Sequence, residues 1–367
     1  MPSQTYYTLD GFASSKLLLE RTTHCAWAHS TKEIPVTTNA NLVFCVAFDK
    51  SAVENGGLSV SSSRLFSSED FFQNEKNIVD FGLSNPKASR GVIGLGVVSK
   101  FLIAAVKDVT SDPTGVNAQM NLYVSLDGHT WGHAKFPHAS MSKLFENAYT
   151  IVEGTAHSLA VDVLNHPSSA IGTLFMSNSN GTFFTQSLQN TNRNEFDYVD
   201  FEGIYGVEGV GLANIVANVE EVEHSPRPKK IKSLITFDDG RSWSPISPPS
   251  RDASNNPIKC PGEECALHLY SVSTPHNIGR VFSTPAPGFV LGVGSMGSHL
   301  APYDECDTFL STDAGVSWKM VKRGAHKYEI GDKGSIMVLA DDEEPTDFVW
   351  YSWNDGKTWW VATLIGS

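Results

Sequence analysis

Ser311-Thr312-Asp313-Ala314-Gly315-Val316-Ser317-Trp318 decides how this chain reads, because the octet recurs. Thr236-Phe237-Asp238-Asp239-Gly240-Arg241-Ser242-Trp243 and Ser352-Trp353-Asn354-Asp355-Gly356-Lys357-Thr358-Trp359 have the same form, Ser/Thr-x-Asp/Asn-x-Gly-x-x-Trp. Ser125-Leu126-Asp127-Gly128-His129-Thr130-Trp131 is one residue short. Ser177-Asn178-Ser179-Asn180-Gly181-Thr182-Phe183-Phe184 puts Ser179 at the Asp position and Phe184 at the Trp position, and a remnant without the glycine lies over Ser67 to Phe72. Each element has a physical role in a hairpin tip. The carboxylate or amide accepts hydrogen bonds from backbone N–H groups of its own turn, and the hydroxyl does likewise. The glycine permits positive φ where the chain reverses, and the tryptophan returns a large ring to the core.

Working outward, apolar strand-length segments flank each octet, as in Lys232 to Thr236. The glycines at 128, 181, 240, 315 and 356 are spaced for a four-stranded unit with loops of varying length. Gly, Pro, Ser and Asn interrupt the chain too often for long helices. The expectation is an all-β fold, a β-propeller of four-stranded blades with about six blade units over residues 1–367. The octet carboxylates are then structural. Asp238-Asp239-Gly240 lacks the ligand spacing of a calcium loop.

The formal net charge of −13 argues against nucleic acid and anionic lipid as partners. No apolar run is long enough for a membrane span, and the first residues do not read as a signal peptide. The acidic run Asp341 to Glu344 and the basic cluster Lys229, Lys230, Lys232 read as solvated loops. Gly292-Val293-Gly294-Ser295-Met296-Gly297 matches a dinucleotide fingerprint, but the fingerprint needs a helix opening at its end, and Pro302 and the next octet arrive too soon. Neither a cofactor nor a metal is expected: the five cysteines fit no zinc pattern. Cys260 and Cys265 bracket a Pro-Gly turn and can bridge a tight loop. Cys25 and Cys45 end a segment that reads as two strands and a turn, which leaves Cys306 over. Asn180-Gly181-Thr182 is a glycosylation sequon.

The octet is the Asp-box, shared by sialidases, some endoglucanases, a photosystem assembly factor and the sortilin-type sorting receptors. The surrounding text resembles the last of these. Cys260-Pro261-Gly262-Glu263-Glu264-Cys265-Ala266-Leu267-His268-Leu269 looks like the segment in which a short disulfide loop precedes Ser-Leu-His-Ile. Phe289 to Gly297 looks like the following inner strand, and Tyr303-Asp304-Glu305-Cys306-Asp307-Thr308-Phe309-Leu310 leads into the next box much as in fungal members. Tyr328 to Ile336, Phe175-Met176-Ser177 through Ser187-Leu188, and Gly203-Ile204-Tyr205 resemble further strands of the family. Cys25 and Cys45 fit a family disulfide.

The resemblance, to the vacuolar protein sorting receptors that include animal sortilin and the fungal receptor for carboxypeptidase Y, covers nearly the whole chain. It implies a portion of a ten-bladed ring that elsewhere is followed by cysteine-rich modules, a membrane span and a cytoplasmic tail. None of these three is recognisable in this sequence. It also implies a function: binding protein or peptide cargo, such as vacuolar hydrolase precursors, on the lumenal side of Golgi and endosome. In sortilin a basic side chain just after one box clamps the C-terminal carboxylate of a peptide. That position is Gln186 here, with Phe175, Ser177 and Tyr205 as neighbouring pocket positions. An amide hydrogen-bonds a carboxylate without supplying charge.

His133 and His138 are candidates for a pH-dependent release switch. The rival readings are an Asp-box glycoside hydrolase, which needs paired carboxylates, and a small intracellular assembly factor, which predicts reduced thiols. No Arg-Ile-Pro, Gly-x-Ser-x-Gly or His-Glu-x-x-His motif is present. The chain is therefore read as a receptor portion rather than an enzyme.

Overall fold

The computed structural model describes residues 3–32, 34, 38–49, 60–82, 89–110, 118–137, 149–260, 264–273 and 286–364. β1 (Gln4–Tyr7) and β2 (Lys16–Glu20) form a two-stranded antiparallel ribbon. β3 (Thr22–Trp27), β4 (Val43–Phe48), β5 (Ser63–Ser68) and β6 (Asn77–Ile78) make a four-stranded meander, and β7 (Val92–Val98), β8 (Phe101–Lys107), β9 (Met120–Ser125) and β10 (Gly132–His133) make the next. The third is β11 (Tyr149–Gly154), β12 (Leu159–His166), β13 (Ile171–Ser177) and β14 (Phe184–Asn192). The fourth is β15 (Phe201–Gly203), β16 (Gly211–Val216), β17 (Ile231–Thr236) and β18 (Ser244–Pro245), and its β16 pairs with β14 at Ile215 and Thr191. β19 (Ala266–Leu269), β20 (Val290–Gly297), β21 (Asp307–Ser311) and β22 (Lys319–Lys322) form the fifth, and β23 (His326–Gly331), β24 (Ile336–Asp341), β25 (Phe348–Ser352) and β26 (Trp360–Thr363) the sixth. The one α-helix among the described residues, α1 (Val219–His224), lies between β16 and β17.

The chain divides into two compact units, one of Met1–Val161 with Phe175–Gln186, the other of Asp162–Leu174 with Ser187–Ser367. The division falls within β12, β13 and β14.

Within each unit the meanders stack face to face, and strand alternation explains why. On β4, Val43 and Cys45 pack with Tyr7 and Leu18 of the ribbon, while Phe44 and Val46 pack with Leu102, Ala104 and Trp131 of the second meander. On β20 and β21, Val290 and Phe309 join Leu267 and Ile235, whereas Leu291 and Leu310 join Met337 and Leu339. Such strands read as unbroken apolar runs because both faces are covered. Stacked four-stranded meanders of this kind are the blades of a β-propeller.

Every turn from third to fourth strand carries an Asp-box. In the fourth meander the Thr236 hydroxyl donates to Asp238 (2.9 Å) and accepts the Gly240 N–H (2.9 Å). Asp238 also accepts the Ser242 N–H (2.8 Å) and hydroxyl (2.6 Å). Ser311, Asp313, Gly315 and Ser317 repeat this pattern, as do Ser352, Asn354, Gly356 and Thr358. In the short box Asp127 accepts the His129 and Thr130 N–H groups, and Ser125 accepts that of Gly128.

Two sequence assignments need correction. In the third meander Asn178, not Ser179, takes the Asp role, accepting the N–H groups of Thr182 and Phe183. The remnant at Ser67 to Phe72 is a box turn starting at Ser68 and keeping the carboxylate's hydrogen bonds, with Asp70 accepting from Ser68, Asn74 and Glu75. A further box went unseen at Thr8 to Ser15, where Asp10 accepts from Thr8 and Ser14.

The box glycine does more than relieve the turn. Gly315 has φ 86°, and a Cβ there would sit 2.5 Å from Ile235 Cδ1 in the meander before it. Gly128 presses on Leu42 and Phe44, Gly181 on Val124 and Phe101, and Gly356 on Leu310 in the same way. Positive φ and close approach together demand glycine. The dinucleotide-like glycines lie in β20, and a Cβ on Gly294 would collide with the His268 carbonyl oxygen. Their role is close strand packing.

Cys25 and Cys45 stand opposite each other on β3 and β4 and are disulfide-bonded, as are Cys260 and Cys265. Cys306 is a free, buried thiol. Burial pushes its pKa up to about 12, so it stays protonated and inert at neutral pH.

Candidate functional site

Phe175, Ser177 and Gln186 share the β13–β14 hairpin. Phe175 is fully buried, edge-on to Phe136 at 5.3 Å, with Phe184 stacked on the same Phe136 at 4.4 Å. Its role is packing, which corrects its placement in a ligand pocket. The Ser177 hydroxyl accepts the Leu159 N–H (2.8 Å) and donates to Asn178 O (2.8 Å), tying β12 to the box. Gln186 is exposed on β14, the fourth strand of its meander. Tyr205 belongs to the other unit and is 56% exposed at the turn between β15 and β16. Of the four positions, Gln186 and Tyr205 present side chains to solvent.

Sequence reasoning passed over the first strands of the meanders. β7 and β11 are edge strands of their sheets. Six of the seven β7 residues and all six β11 residues are half-buried. β7, Val92-Ile93-Gly94-Leu95-Gly96-Val97-Val98, carries neither charge nor proline. Natural edges are normally blunted with such residues, and an edge without them suits pairing with an extended segment. The absence of charge in an apolar strand beside two glycines was the available signal.

The second unit holds a buried polar network. The Arg193 guanidinium, with no exposed side-chain surface, donates to Asp162 (3.1 Å) and Asp197 (3.0 Å). Thr191 donates to the other Asp162 oxygen. Lys229 Nζ donates to Ala170 O (3.0 Å), Asn192 Oδ1 (2.9 Å) and Arg193 O (2.9 Å). Burial pushes its pKa down to about 8. Lys229 is thus an integrated part of the fold, which corrects its reading as a solvated loop residue. Asp200 accepts from Asn192, Asn214 and the Ser273 N–H.

Farther along, His268 Nδ1 accepts the Ser233 N–H (3.0 Å), which places its proton on Nε2, bonded to Gly297 O (3.0 Å). Burial pushes His268 down to about 4 and Asp162 up to about 6, the latter against the pull of Arg193 and Thr191.

These two shifts act on stability with opposite sign. Asp162 has a folded pKa above its ordinary 3.8. It favours the fold fully below that value, and the contribution is lost as pH rises through about 6. His268 has a folded pKa below its ordinary 6.5. Its contribution is present above 6.5 and lost as pH falls through about 4. The windows overlap, so stability is expected to change little between neutral pH and about pH 5. Asp162→Asn unmasks the histidine, and its Tm is expected to fall on acidification. A thermal scan against pH checks this, and an equally steep fall in the wild type refutes the compensation.

Of the proposed histidine switch, His138 lies outside the described residues. His133 packs against Tyr123 at 5.2 Å, and partial burial, then the charge of Lys135, lowers its pKa.

The family model described as Sortilin, neurotensin receptor 3 matches residues 1–365. Vacuolar protein sorting/targeting protein 10 of Laccaria bicolor is 53% identical over 97% of this chain and 24% of its own length. Its namesakes in Mycosarcoma maydis and Ajellomyces capsulatus (strain G186AR) are 44% and 42% identical, over 97% and 98% of this chain and 23% of their own lengths. The stacked Asp-box meanders define a β-propeller protein. The chain belongs to the Sortilin-Vps10 family and spans about a quarter of the length of these curated relatives.

Proposed function

We propose that this chain is the cargo-binding portion of a sorting receptor, part of a ten-bladed ring, that carries soluble hydrolase precursors from late Golgi to the vacuole. The observation that carries this reading is identity of 53% over nearly the whole chain with a protein named for vacuolar sorting and targeting. The Cys25–Cys45 and Cys260–Cys265 disulfides fit an oxidising lumen and speak against a cytosolic assembly factor. Cargo is held extended against the uncharged edge of β7, with Gln186 of the same unit as a polar anchor. The test is a pull-down from secretory-pathway extract at neutral pH and at about pH 5.5, a step across the ordinary histidine pKa. Enrichment of soluble hydrolase precursors is expected; none recovered on folded, disulfide-bonded bait defeats the reading.

Gln186 makes a sharper prediction. Gln186→Arg supplies the missing charge, so affinity for a peptide ending in a free carboxylate is expected to rise about tenfold, roughly 1.4 kcal/mol. The amidated peptide should gain nothing. Equal gains for both peptides in a calorimetric titration would show that Gln186 does not meet the carboxylate.

A further inference from the structure

The third-meander box departs from the others in two places. Its fourth position, Asn180, is exposed at the tip of the turn, and its side chain makes no hydrogen bond among the described residues. Capping falls to Asn178, whose amide oxygen holds the Thr182 and Phe183 N–H groups. The seventh position is a hydroxyl that bonds the box carboxylate in three other turns, through Ser14, Ser242 and Ser317. Here it is Phe183, 56% exposed, with the Lys135 ammonium at 5.2 Å from its ring centroid. A turn built on a self-satisfying polar design thus displays a free amide and an uncovered aromatic ring three residues apart. Asn180-Gly181-Thr182 is also the one Asn-x-Ser/Thr triplet in the chain.

We propose that Asn180 carries an N-linked glycan whose innermost sugar packs on Phe183. The proposal rests on the lumenal reading given above. The donor is an oligosaccharide on a polyprenyl diphosphate, transferred by the host enzyme of the lumen. Asn180 Nδ2 forms a bond to the anomeric carbon of the first N-acetylglucosamine. The bond from that carbon to the diphosphate oxygen breaks and its electron pair leaves with the diphosphate, while the amide proton passes to a base. No oxidant or reductant is needed. The apolar face of the sugar then covers ring area that is otherwise in water. Among the described residues the Asn180 side chain has no hydrogen bond to lose, whereas Asn178, Asn192, Asn194, Asn214 and Asn218 are each committed to hydrogen bonds of the fold.

The test takes the protein from secretory membranes of its own cells and digests it with peptide N-glycosidase F in heavy-oxygen water. Mass spectrometry is expected to find Asn180 converted to aspartate carrying the heavy oxygen, and an Asn180→Gln variant should show a mobility change on digestion smaller than the wild type's by one glycan. Unmodified Asn180 in protein whose Cys260 and Cys265 are oxidised overturns the site and leaves the receptor reading standing. Reduced Cys260 and Cys265 overturn the lumenal reading and this proposal with it. For Phe183, enzymatic removal of the glycan is expected to lower Tm in the wild type but not in Phe183→Ser. An equal loss in both removes the ring from the proposal.

Discussion

Arg193→Ala is expected to destabilise the protein by about 3–5 kcal/mol, because it leaves Asp162 buried and unpaired. The Asp162 side chain has no exposed surface, so water cannot replace the lost guanidinium. Thr191 remains as one donor, but a hydroxyl supplies no charge. Desolvation already holds the Asp162 carboxyl high at about 6 with the arginine present. Without it the carboxyl rises further, and the cheapest state of the variant is the one with Asp162 protonated. The penalty should therefore be largest at neutral pH and shrink toward about pH 5. Urea unfolding at the two pH values measures it, through a midpoint that moves without a change in slope. The pair Asp162→Asn with Arg193→Met, which buries no charge, should recover part of the loss. A single variant that loses less than about 1 kcal/mol at neutral pH would mean that water reaches the carboxylate.

Trp318→Ala is expected to cost about 3–5 kcal/mol, as for other large buried aromatics. The ring is 5% exposed among Ile235, Leu267, Phe309 and Met320, and its Nε1–H donates to Gly315 O at 3.1 Å. Truncation opens a cavity between two meanders and frees a carbonyl of the box turn. Trp243 is the internal comparison. It has the same octet position but is half-buried, with its Nε1–H on Ser187 (3.1 Å) and Phe201 at 6.2 Å. Its truncation should cost roughly half as much, since less area leaves water on folding. Equal losses by chemical denaturation would show that the tryptophan works through its turn and not through burial.

The blade architecture was legible because three octets retain every element that the turn requires, so spacing alone separated one meander from the next. The box that escaped notice and the one read as a remnant show what that reading depended on. At Thr8 to Ser15 the glycine stands one position early and Ser15 replaces the tryptophan; Phe12 takes the left-handed conformation at φ 71°. At Ser68 to Glu75 both left-handed positions are phenylalanines, Phe71 and Phe72. The carboxylate and hydroxyl bonds were sufficient to hold these turns, and those two residue types are too common to announce a turn by themselves.

The network was less legible still. Arg193 and Asp162 lie 31 residues apart and meet through packing of strands and turns, which no local pattern encodes. The same limit applied to Phe175, whose burial depends on Phe136 from the segment after β10. Among the resemblance-based positions, exposure separates Gln186 and Tyr205 from Phe175 only once the fold is known.

The box also bears on the order in which this chain folds. Its hydrogen bonds join residues no more than four or five positions apart, as in Gly240 to Thr236 and Ser242 to Asp238. Closing so small a loop takes on the order of 10–100 ns, well before a connection as long as the one from β19 to β20 can be spanned. The outer hairpin of the fifth meander is thus primed to nucleate early, with β19 recruited afterwards. In pulsed hydrogen exchange, the amides of Gly315 and Ser317 should gain protection ahead of those in β19.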